Sequence, residues 1–150
     1  MGLPSRTKQF LFAGIVLMFT AIIIMVSLRY FVYGGEHRTA ANEQASEAMT
    51  AAKLHGKFTT DESAANKQYL NKVLAVKGKV KTVKIDKDAG FMVVDLAGGD
   101  QGIAVSVTLP PDQIPNPRPK VGERYTFRGI VNGYDPIFGY VALDQAVLQE

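Results

Sequence analysis

Few side chains in this sequence could carry chemistry, and they do not converge in the linear pattern. There are two histidines, His37 and His55, no cysteine and no tryptophan. Neither histidine has a second metal-ligating side chain at helical or strand spacing. The lack of cysteine excludes disulfides, thiolate metal sites and attachment of a covalent haem or a lipid through sulfur. Asp86, Asp88 and Asp100 fall in segments rich in turn residues, where a solvated turn is the expected role and a weak cation site the alternative. Acid–base or nucleophilic catalysis needs groups brought together, so no enzyme, no metal site and no cofactor are expected. What remains is a binding constellation of aromatics and lysines, Lys84, Phe91, Tyr134 and Phe138, with Lys87, Val93 and Ser106 beside it. Such a set could stack planar groups and pair anions, or it could close a core end and keep an exposed strand soluble.

The elements that would position these residues begin with an apolar segment. Residues 10–28 (FLFAGIVLMFTAIIIMVSL) are uncharged, with Thr20 and Ser27 the polar members. As a helix they reach about 30 Å, the thickness of a hydrocarbon core. The run exceeds the ~7–15 residues of a cleaved signal and ends in Arg29, Tyr30, Phe31, Val32 and Tyr33 instead of small residues, which predicts an uncleaved anchor over 10–33. Arg29 and the two tyrosines suit the headgroup region. Arg6 and Lys8 bias the tail, 1–9, to the cytoplasm, placing the rest on the far side of an inner membrane.

Residues 34–60 read as a helical connector, Ala-rich, with Ala41, Ala45, Ala48, Met49 and Ala52 at helical intervals, a solvated stalk whose small face rests on the barrel being preferred to a spacer or a docking helix for a partner. Thr60 or Asp61 is placed to cap a further helix with Glu62 in its first turn. From Lys57 on, twelve basic residues face eleven acidic ones, so the net charge of +3 does not mark the domain as a general polyanion binder.

From Val73 the pattern becomes β-rich. Residues 73–85 place Val76, Gly78 and Val80 on one face and Lys77, Lys79 and Lys81 on the other, then slip phase at Val83 and Ile85, which predicts a bulge near Lys81 and Thr82. Runs at 91–96 and 103–109 follow, then a crossing with five prolines that is neither strand nor regular helix. Runs at 124–132 and 140–148 complete the set. A long kinked strand, a meander, a crossing and a final hairpin describe an all-β, five-stranded OB-fold barrel over 61–150, preferred to an SH3-like barrel.

The stretch Asp61, Glu62, Ala65, Asn66, Tyr69, Asn71, Lys72, Val73, Val76, Gly78 and Val80 resembles the opening of the tRNA_anti-like family of OB-fold proteins. Val121, Gly122, Gly129, Gly133 and the closing Val141, Ala142, Leu143 and Asp144 fit its later landmarks, over residues 50–149. Relatives of this kind often carry cysteines where this chain has Ser106 and Ala146, so no thiol role carries over. The envelope haem chaperones that join one membrane span to an OB domain need an HxxxY motif. Here Ala41 follows His37 and Thr59 follows His55 at that spacing, so haem handling is not expected. The reading is a membrane-anchored, non-catalytic OB module of the cell envelope, its partners the bilayer and another envelope protein or small ligand. The alternative is a cytoplasm-facing OB domain for single-stranded nucleic acid, with nucleic acid the less favoured partner.

Overall fold

The computed structural model describes residues 18–25, 39–99 and 102–149. The chain divides into two compact units, Met1–His37 and Arg38–Glu150. In the first, residues 18–25 are helical; the rest of the expected span, 10–17 and 26–33, lies outside the described residues, as do His37 and Asp100. Among the described residues no helix is long and apolar enough to cross a membrane.

The second unit is a closed barrel. Its strands are β1 (Glu47–Thr50), β2 (Val73–Ile85), β3 (Met92–Ala97), β4 (Ile103–Leu109), β5 (Arg124–Asp135) and β6 (Tyr140–Gln149). They lie in the order β1-β2-β3-β4-β6-β5, and β5 returns to β2. Five strands therefore close the OB circuit and β1 stands outside it. β2 serves two neighbours in succession: Val73 to Lys79 pair with β5, and Val80 to Ile85 with β3. The register shift between Val80 and Thr82 is the bulge that the phase slip predicts, and it turns the strand from one side of the barrel to the other.

The connector differs from its expected form. In place of a helix over 39–54 there is a 3-10 turn, Ala40–Asn42, then β1, and helix begins only at Ala51. The cause is tertiary. Glu47 to Thr50 pair in parallel with Leu74 to Lys77, and that ladder satisfies their backbone groups and overrides the helical preference of the Ala-rich stretch. Thr50 then ends the strand and caps helix α1 (Ala51–Thr60), its hydroxyl accepting from the Lys53 amide at 3.2 Å. Asp61 caps helix α2 (Glu62–Tyr69), accepting from the Ala64 amide at 2.9 Å with Glu62 in the first turn.

Helix α1 is no solvated stalk. Ala51, Leu54 and Phe58 are buried in the same core as Val76, Val94, Leu96, Val107, Phe127 and Leu143, so the helix plugs the barrel. Gly78 makes room for it: a Cβ there would stand 2.9 Å from Leu96 Cβ and 3.2 Å from Ala51 Cβ. The proline-rich crossing contains only a 3-10 turn, Pro111–Gln113.

Candidate ligand-binding face

Strand alternation sends Met92, Val94 and Leu96 of β3, and Val105, Val107 and Leu109 of β4, into the core. Val93, Asp95, Ser106 and Thr108 consequently line the outer face. The register sets Thr82 beside Asp95, Asp95 beside Ser106 and Ser106 beside Ala142, one row across β2, β3, β4 and β6.

Asp95 is the centre of that row, and although it lies on the outside of the sheet it is only 4% exposed. A carboxylate that has lost its water must be compensated. Its Oδ1 accepts from Ser106 Oγ at 2.9 Å, its Oδ2 accepts from Thr82 Oγ1, and Lys84 Nζ stands 3.7 Å from Oδ2 with its own side chain 71% exposed. An acid already held by two hydroxyls and an ammonium is a fixed point of the face.

The β5–β6 turn borders the face. Asp135 Oδ1 accepts from the amides of Ile137 at 2.9 Å and Phe138 at 3.1 Å, and Gly139, at φ +73°, donates its amide to the Asp135 carbonyl at 2.7 Å. From α1, His55 Nε2 donates to the Gly139 carbonyl at 2.8 Å. The clamped tip holds Ile137 and Phe138 out, 85% and 71% exposed. The Phe138 ring stacks on Tyr140, with centroids 6.0 Å apart and planes at 15°. Burial, and then the negative charges of Asp135, Asp95 and Asp144, raise the Tyr140 hydroxyl above the ordinary tyrosine value. Asp144 is in turn held by Asn132, whose Nδ2 donates to Oδ2 at 2.7 Å. The face thus combines an exposed aromatic pair with three carboxylates.

The four residues singled out from sequence separate. Lys84 and Phe138 border this face. Phe91 immediately precedes β3, half-buried, in phase with Val93 and Asp95. Tyr134 belongs elsewhere: its ring packs against the core between Phe58, at 6.4 Å and 22°, and His55, at 6.0 Å. Sequence reasoning missed Asp95, Tyr140 and Ile137. Asp95 could have been found as an acid in phase with outward-facing Val93, its Thr and Ser partners lying in adjacent runs. Asp86 accepts from the Asp88 and Ala89 amides at 2.9 Å, an ordinary turn, and among the described residues no three candidate metal ligands converge.

A barrel with this strand circuit defines an OB-fold protein. A family model described as tRNA_anti-like matches residues 1–146, and the chain belongs to that family. Twenty-five chains of solved structure match it. One is a candidate nucleic acid-binding lipoprotein from Klebsiella pneumoniae subsp. pneumoniae MGH 78578, 16% identical, with a TM-score of 0.57, covering 73% of this chain and 94% of that one. At that identity the likeness concerns the fold. No curated protein matches the chain in sequence.

Proposed function

We propose that the protein is a membrane-tethered, non-catalytic OB module of the cell envelope that holds a protein partner against the outer face of β3, β4 and β6. The observation that carries this reading is the clamped tip, with Ile137 and Phe138 held out beside Asp95, Asp135 and Asp144. Covering each of these two side chains contributes roughly 1.5–3 kcal/mol, an anchor that further contacts must complete against the cost of association. Carboxylates around the aromatic pair favour a segment that brings a basic side chain, and they repel a phosphate backbone. The absence of a catalytic role is supported by Asp95 and His55, both already engaged in fixed hydrogen bonds.

Support for the tether is the uncharged run of 10–28, whose described part, Met18 to Met25, is helical and leaves Met18, Phe19, Ile22, Ile23, Ile24 and Met25 exposed. An activity reporter fused after Glu150 and functional only when exported is the expected outcome; one functional only in the cytosol refutes the envelope assignment. For the face, a photo-crosslinking residue at Ile137 of the full-length protein in membranes is expected to trap one discrete partner. That product should be lost with Phe138→Ala and kept with Lys67→Ala on α2.

The second reading is single-stranded nucleic acid, favoured by the likeness to the Klebsiella lipoprotein. It is tested by titrating an oligonucleotide onto the full-length protein. Tight binding that weakens steeply with salt and that Phe138→Ala abolishes would replace the protein-partner reading.

A further inference from the structure

A second surface, away from the candidate face, concentrates positive charge. On the outer side of the β2–β5 ladder, Lys77 lies beside Thr126 and Lys79 directly beside Arg124, all three bases exposed. Like charges set opposite each other across a ladder destabilise a sheet. A fold that needed only solubility gains nothing from that arrangement. Glu123, whose Oε2 accepts from the Tyr125 hydroxyl at 2.6 Å, supplies one negative charge against these three bases.

The bases overhang a cleft of about 470 Å³ lined by Thr50, Ala51, Gly78, Ala97 and Gly99. Gly99, with open space where a side chain would stand, leaves backbone accessible to a small anion. The first turn of α1 borders it too, with no acidic residue there, so the helix dipole adds to the charge of the bases.

From this charge and shape we infer that the Lys77, Lys79 and Arg124 strip binds the phosphate headgroups of an anionic bilayer surface. The inference rests on the tether proposed above. Chain path supports the membrane as the source of phosphate. The 3-10 turn Ala40–Asn42 reaches the barrel on this side of β5, where an Arg128 guanidinium nitrogen donates to the Ala41 carbonyl at 3.1 Å. Arg128 lies four strand residues beyond Arg124, roughly 13 Å. Six residues lie between Tyr33, where the expected span ends, and Ala40, a reach of at most about 25 Å over seven chain steps. A connection of that length permits the strip to reach the headgroups. A single-stranded nucleic acid would need aromatic rings along the path of its bases, and the outward positions beside these bases are Thr50, Ala75 and Thr126.

The test uses the full-length protein in lipid nanodiscs. The chain has no cysteine, so Ala52→Cys, exposed at the cleft edge, gives one labelling site. In discs with about 30 mol % anionic lipid, quenching of the label by a lipid-borne quencher should rise several-fold over neutral discs. The three bases together bias docking by roughly a hundredfold. The rise should vanish in about 0.5 M salt and in Lys77→Glu/Lys79→Glu/Arg124→Glu. A Gln version of the same triple variant should lose it too, guarding against misfolding caused by reversal.

Quenching that is equal in both lipids, or that survives the reversal, overturns the assignment while leaving the tether in place. A chain that fails to co-elute with discs at all overturns the tether and this inference together. Binding of a single-stranded oligonucleotide in the absence of lipid, lost in the triple variant, overturns it in favour of nucleic acid.

Discussion

Phe58→Ala separates a barrel plug from a surface stalk. The Phe58 ring is 1% exposed and packs against Tyr69 and Tyr134, both at 6.4 Å between centroids. Truncation removes the buried ring and leaves a cavity between Tyr69 and Tyr134. Losses of about 3–5 kcal/mol are typical of such sites. A domain of this size has a total stability of roughly 5–15 kcal/mol, so the variant should lose a large part of it. Urea unfolding followed by far-ultraviolet circular dichroism reads the difference, with Lys53→Ala, an exposed position of the same helix, as the reference. The midpoint for Phe58→Ala should fall while the slope is kept. A loss below about 1 kcal/mol, comparable to the reference, would mean that α1 does not plug the barrel and that the stalk expected from its alanine spacing was right.

Two further outcomes follow from the same packing and electrostatics. Gly78→Ala should cost about 1–3 kcal/mol in the same urea experiment, because the added methyl meets Leu96 and Ala51 at distances that oblige the helix or the strand to shift. Tyr140 carries its hydroxyl proton to higher pH folded than unfolded. Its contribution is complete below the unfolded value near 10 and is lost as pH rises through the raised folded value, where the unfolded chain binds fewer protons. Stability measured across that window should decline less steeply in Tyr140→Phe.

The barrel could be read from the sequence because its strands obey one rule each. Val73 to Ile85 alternates until Lys81, and the slip there is a bulge; Ile103 to Leu109 alternates throughout and is β4 to the residue. The turn to β6 is shorter than composition suggested, because β5 continues through Gly133, where a register shift and a positive φ carry the chain to Asp135. The connector was illegible for a different reason. Alanine is compatible with helix, strand or turn, and the edge of β2 that draws Glu47 to Thr50 into the sheet lies 26 residues or more away in the chain. Tyr134 and Phe138 illustrate the same limit at the site. Both are aromatics near one turn, yet one faces Phe58 and the other water, a distinction set by the α1 contact and the Asp135 clamp. Asp95 was passed over since an acid among valines says nothing of its partners until three strands are aligned.

The order of strands has a consequence for synthesis. β6 sits between β4 and β5 and bonds to both, so the circuit is completed by the last of the six strands to leave the ribosome. Until it arrives, a nascent chain presents two unpaired edges, the feature that invites association with neighbouring chains. Loss of only a few residues from β6 should therefore act on the yield of folded protein out of proportion to the area those residues bury.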